Sequence, residues 1–285
     1  MQAIADSCGA DILHIKGAAV DASLLPTRPE APADASAEER ALPRLSADAD
    51  ILVRPEHLKR FQAALRRHGW QRKTRLYSGG AVEHSEDWSH PELGGADVHI
   101  RFPGIRVTPE RAFAALWSER QSRDIAGRPC PAPSVDAQRL LLLLHAARNG
   151  GPASADVGPP WTNATTAIQG RVRMLAVAFG ADVALAGATG RLDEFAHRPE
   201  YDLWRLLGQP DADVFDLWVA FVKAAPTALD RVRAILYSIH PKSDRVDHQV
   251  GHPANAAEVL RAQASRLGRG ALGVIRLARR GATAR

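Results

Sequence analysis

The sequence predicts an α+β fold, with a small mixed sheet in the first half and a mainly helical second half. Three observations carry this reading. Short apolar runs bounded by Gly, Pro and Asp dominate up to about residue 133, apolar residues recur at helical spacing beyond it, and Leu140 to Leu144 are apolar all round, as in a central buried helix. The expected division is residues 1–133 and residues 134–285.

The elements follow in chain order. DILHI reads as a short strand from Ile12 to Ile15, followed by a turn at Lys16 and Gly17 and then a helix. The segment from Pro26 to Pro43 is made of Ala, Pro, Glu and Asp, cannot form a core, and is expected to be a mobile surface loop. RLSADADILVRPE holds a strand whose apolar part is Ile51, Leu52 and Val53. PEHLKRFQAALRRHG places Leu58, Phe61 and Leu65 on one helical face with Pro55 in the first turn. WQRKTRLYS and AVEHSEDW read as paired strands joined at Gly79-Gly80. In GGADVHIRF, Asp97, His99 and Arg101 alternate with Val98, Ile100 and Phe102, the period of a strand. AFAALW, VDAQRLLLLLHAAR, YDLWRLLG, DVFDLWVAFVKAA and ALDRVRAILYSIH are helical, with a hinge expected at Gly150 to Pro160. From Ala254 onward the chain reads as one long helix.

With 285 residues, 45% of them apolar and 24% charged, the chain has material for one large core or two modest ones. No run approaches the length of a membrane helix and the N-terminus lacks signal-peptide character, so no membrane partner is expected. Two cysteines, Cys8 and Cys130, exclude a disulfide framework and fit a reducing cytoplasm. The formal charge is +5, with much of the excess from arginines in the last quarter. Arg261, Arg266, Arg269, Arg276, Arg279 and Arg280 share the last helix with an apolar side of Val259, Leu260, Leu267, Leu272, Ile275 and Leu277. Such a helix suits either docking on the body with a solvated basic face, the favoured reading, or lying along an RNA backbone.

Chemistry concentrates at Asp48 and Asp50. Residues i and i+2 of a strand share a face, so both carboxylates project together beside a buried apolar run, an arrangement that suits a divalent metal such as Mg²⁺. The Lys16-Gly17 turn would set a cation and free backbone N–H groups at a helix start, where a triphosphate can be held.

The order of these motifs resembles the uncharacterised nucleotidyltransferases of the polymerase-beta-like nucleotidyltransferase superfamily. The resemblance rests on Ile15-Lys16-Gly17, on Arg44 followed by Asp48-Ala49-Asp50-Ile51-Leu52-Val53-Arg54-Pro55-Glu56, on Leu65 to Gly69-Trp70, and on Asp97-Val98-His99. It covers about the first half of the chain, with a looser echo in the leucine run ending at His145. It implies a palm-like catalytic sheet at 1–133, a helical C-terminal domain at 134–285, and transfer of a nucleoside monophosphate from an NTP to an acceptor hydroxyl. Asp48, Asp50 and Asp97 would be the catalytic residues and the ligands of two Mg²⁺ ions, and Lys16, Gly17, Ala18, Arg44 and Ser46 would contact the nucleotide. A small molecule or peptide is the favoured acceptor; a tRNA end, as in toxin-like relatives, is the alternative, and a non-catalytic nucleotide-binding module is a further one. Ala18 departs from the Gly-Ser or Gly-Gly turn of many members, which removes a hydroxyl contact to phosphate but leaves the backbone N–H groups.

Other polar groups have a plainer reading beside a functional one. His84, Asp87 and His90 could bind zinc but are expected as exposed loop residues, His145 suits a hydrogen-bonded cap as well as a nucleotide contact, and Trp204 and Trp218 read as core.

Overall fold

The computed structural model describes residues 1–26, 36, 48–74, 85–239, 246–247, 250–252 and 254–283. A short helix α1 (Gln2–Cys8) ends at Gly9, whose φ of 63° turns the chain into strand β1 (Ile12–His14). Strand β2 (Asp48–Val53) precedes a single turn at Pro55–His57 and helix α2 (Leu58–Arg67). Strands β3 (Gln71–Arg72), β4 (Ser85–His90) and β5 (Gly94–His99) complete a five-stranded sheet of order β1-β2-β5-β4-β3. β2 and β5 run parallel, and the other neighbours are antiparallel.

Strand alternation gives the sheet two different faces. Ile12, Ile51, Val53, Trp88, Ala96 and Val98 point to one side and are buried under Ala5 of α1 and Phe61 and Leu65 of α2. Leu13 and Leu52 point to the other, where they join Phe102, Phe113 and the leucines of a central helix in the largest apolar cluster. That helix, α4 (Val135–Arg148), buries Leu140 to Leu144 without exception, as their all-round apolar pattern requires. It follows helix α3 (Pro109–Ser118), which starts at a Thr108 side-chain cap, and a hairpin of β6 (Gln121–Ile125) and β7 (Arg128–Ala132). The hairpin was not expected; its strands, QSRDI and RPCPA, lack apolar alternation and turn on Ala126 and Gly127, both at positive φ.

Among the described residues the further α-helices are α5 (Thr166–Ala178), α6 (Asp182–Ala188), α7 (Tyr201–Leu207), α8 (Val214–Ala224), α9 (Ala228–Ile239) and α10 (Ala256–Thr283). The mixed α+β class with a helical C-terminal region is as expected.

Three expectations are corrected. The helix after Gly17 is replaced by two single 3-10 turns, Gly17–Ala19 and Ala22–Leu24, separated by extended Val20. The cause is Asp21, whose carboxylate accepts from the Ser23 N–H while its own N–H donates to Gln138 Oε1, so the side chain competes with a helical ladder. The expected hinge at Gly150 to Pro160 is instead a series of tight turns that bury Gly151, Val157 and Pro160. The apolar side of the last helix is not packed at Leu260, Leu267, Leu272 or Ile275, all of them exposed. The turn proposed at Gly79-Gly80 and all of the Pro26–Pro43 insert except Pro26 and Ser36 lie outside the described residues.

Candidate active site

Three adjacent strands bring an acidic residue to one level on one face. Asp50 of β2 pairs with Asp97 of β5, and Asp97 pairs in turn with Asp87 of β4. Directly paired residues project to the same side, and Asp48, two residues before Asp50, shares that side. This is the face that carries Leu13 and Leu52, so the apolar roof of α3 and α4 covers one part of it and the acidic residues occupy the next. Asp48 stands opposite Gly95, and a Cβ built on Gly95 would come 1.8 Å from Asp48 Oδ1. A side chain at Gly95 would push that carboxylate out of its present position.

The carboxylates differ in their surroundings. Lys16 Nζ lies 2.6 Å from Asp50 Oδ1, and His99 Nε2 lies 3.2 Å from the same oxygen. Burial works to raise the Asp50 pKa, but the His99 hydrogen bond and the Lys16 ammonium outweigh it and hold the group at about 2. Asp97 moves the other way. Burial, then the negative charges of Asp87, Asp50 and Asp48, push it up to about 7. His99 is fully buried, and burial lowers its pKa, so the ring is neutral at neutral pH and, protonated on Nε2, donates to Asp50. Arg148, in the last turn of α4, has its pKa lowered by burial to about 10, against the opposing pull of the Asp50 charge.

Asp50, Asp97 and His99 each offer one ligand atom, and these atoms lie within 4.8 Å of one another. The two carboxylates suit a divalent cation, and His99 Nε2 would join them as a ligand in the tautomer protonated on Nδ1. The raised pKa of Asp97 marks anionic charge that such a cation would neutralise, so the donor set fits a metal on both chemical and electrostatic grounds.

The sequence-derived candidates are distributed as follows. Asp48, Asp50 and Asp97 share one face, and Lys16 reaches Asp50. Gly17 and Ala18 belong to the first 3-10 turn, with Gly17 at φ 59°. Arg44, Ser46 and His84 lie outside the described residues. The zinc trio is not assembled, because Asp87 is a strand residue beside Asp97 while His90 points to the opposite side of the sheet, its Nδ1 accepting from the backbone N–H groups of Glu92 and Leu93. His145 is engaged at both nitrogens, Nδ1 with Asp156 at 2.9 Å and Nε2 with Asn149 at 3.1 Å, which is the cap-like arrangement. Trp204 is buried in the main cluster; Trp218 meets Phe221 edge to face.

Sequence reasoning named Asp87 only in the zinc trio, not beside Asp97, and gave no role to Gly95 or Arg148 and no ligand role to His99. Only His99 had a usable signal, its place two residues from Asp97 on a strand. Arg148 reads in sequence as an ordinary basic residue at a helix C-terminus.

Residues 38–157 match the model of a family described as uncharacterised nucleotidyltransferase. The resemblance drawn from the motifs is thereby borne out over a segment that contains Asp48, Asp50, Asp97, His99 and Arg148. No curated protein matches the chain. The family match and the Asp-Asp-His cluster together support a nucleotidyl-transfer function and the use of a divalent metal.

Proposed function

We propose that the protein transfers a nucleoside monophosphate from an NTP to an acceptor hydroxyl on a small molecule or peptide, releasing pyrophosphate, in a reaction dependent on Mg²⁺. The observation that carries this reading is the direct pairing of Asp50 with Asp97 on parallel neighbouring strands, within the segment matched by the family. Mg²⁺, two ions of it, would be held by Asp48, Asp50 and Asp97 with His99 alongside, and would neutralise charge on the attacking and leaving oxygens.

The chain's own groups divide the remaining work. Asp97, on the acceptor side of the metal site, would take the proton of the acceptor hydroxyl. As that O–H bond breaks, the acceptor oxygen bonds to the alpha-phosphorus and the bond to the beta-phosphate oxygen breaks, so pyrophosphate leaves with the electron pair. Lys16 and Arg148 supply positive charge beside Asp50 and would steady the triphosphate, together with the backbone at Gly17 and Ala18 and the side chains of Arg44 and Ser46. His99 keeps Asp50 ionised and oriented. In this reading residues 1–133 form the catalytic unit, and residues 134–285 wall the cleft and select the acceptor. Cys8 and Cys130, both free thiols, accord with a cytoplasmic setting.

The test is incubation with each alpha-labelled NTP, Mg²⁺, and separate metabolite, peptide and RNA fractions. Label is expected in the metabolite or peptide fraction and absent with Asp50→Asn. Label confined to RNA would replace the acceptor by a tRNA-like one; no label from any NTP in any fraction would defeat the proposal.

A further inference from the structure

Helix α10 rests on the body by the wrong side for a simple structural helix. Its sheltered side runs through Val259, Gln263, Arg266, Gly270 and Gly273, with Glu258 and Ala262 partly covered beside them at the N-terminal end. Gly273 is the point of closest approach, where an added Cβ would come 2.3 Å from Cγ of Phe215 on α8. A second stripe with nearly the same spacing, Leu260, Ala264, Leu267, Ala271 and Ile275, faces outward. Leu260 is 67% exposed, Leu267 49% and Ile275 48%. Helix α9, which packs against α10, likewise exposes Leu229, Val232 and Leu236.

Arginines surround these leucines. Arg231, Arg233, Arg261 and Arg269 are all exposed. Residues 228–283 hold ten Lys and Arg against four Asp and Glu, an excess larger than the +5 of the whole chain. A second copy of this chain would bring arginine against arginine across the stripe, which opposes self-association. RNA would meet the arginines but leave the leucines in water. An anionic bilayer satisfies both. Its headgroups take the arginines and the acyl boundary takes the exposed apolar stripe, along a helix of 28 residues that would lie flat for about 42 Å. No helix among the described residues is long and apolar enough to cross a membrane, so the arrangement is one of lying on the surface.

We propose that the outward faces of α9 and α10 form a peripheral docking surface for an anionic lipid membrane. The proposal is independent of the transfer chemistry. The experiment is co-sedimentation of the full chain with phosphatidylcholine vesicles, with and without about one third phosphatidylglycerol, over a range of salt. Binding is expected only with the anionic lipid and should weaken as salt rises. Leu260→Glu with Leu267→Glu should lower vesicle affinity by on the order of tenfold or more at unchanged thermal stability. Arg261→Gln with Arg269→Gln should lower it by roughly fivefold per arginine and flatten the salt dependence, and this pair keeps the test decisive if the glutamate variant is destabilised. Equal binding to both vesicle types, or none to either, overturns the proposal. So does a dimer in light scattering that Leu267→Glu dissociates, which would assign the stripe to a second copy.

Discussion

Glu86 and Asp97 sit on neighbouring strands of one sheet, both largely withdrawn from water, in opposite chemical company. Glu86 points to the closed face and is 3% exposed; Gln62 Nε2, Arg72 Nη1 and Trp88 Nε1 all donate to it. Asp97 points to the other face, where its neighbours include Asp87, Asp50 and Asp48. A buried carboxylate with a full set of donors is a part of the architecture. One crowded by like charges is stable only as part of something else, and repulsion of this kind is retained where a ligand is to be met. The same residue chemistry therefore does structural work on one face and site work on the other.

The largest effect expected from this contrast is on turnover. Asp50→Asn should lower nucleotidyl transfer by on the order of a thousandfold, read as label incorporation per folded molecule, with a loss of stability too small to explain it as the Lys16 ammonium loses its charged partner. An active Asp50→Asn enzyme would erase the distinction between the two faces. Glu86→Ala should do the reverse. It strands three donors, should lose about 3 kcal/mol in denaturant unfolding, and should keep its activity per folded molecule. Next is Lys16→Ala, expected to weaken nucleotide binding by roughly tenfold in calorimetry with little change in fold. Unchanged affinity would confine Lys16 to its ion pair with Asp50.

The smallest effect is on the pH dependence of stability, measured with a chelator present. Asp97 rises from 3.8 to about 7 in the folded chain, so the folded state binds more protons than the unfolded one across that window. Stability from this group is greatest in acid and falls as pH climbs from about 4 to about 7. His14, lowered by burial from 6.5 to about 4, acts in the opposite sense: its contribution is lost as pH falls through the same range. Asp97→Asn should remove the first slope and leave the second, so that the variant gains on the parent as pH rises. A parallel pair of pH curves would show Asp97 to be unstrained.

The sequence made the acidic strands legible because period-2 alternation is local: Asp48 and Asp50 declare a shared face by their spacing, while Asp97, on a separate strand, joined them only through the family resemblance. It could not show that Asp87 joins them. AVEHSEDW contains several polar residues, and only the register of β4 against β5 decides that Asp87 rather than Glu86 meets Asp97. Gly95 was equally silent, since its role depends on a carboxylate from another strand. The failed helix at Gly17 teaches the same lesson from another direction. Asp21 is held by Gln138 and Arg123, more than a hundred residues away, and those contacts are invisible in a local window.

The arm from Lys16 to Asp21 is clamped at both ends, at Asp50 through the lysine and at Gln138 of α4 and Arg123 of β6 through the aspartate. Between the clamps, Val20 is wedged with Leu24 against Leu142. A segment tethered in this way has little slack, so the place of the lysine ammonium beside the acidic row is set by packing on the central helix and the β6–β7 hairpin as much as by Asp50 itself.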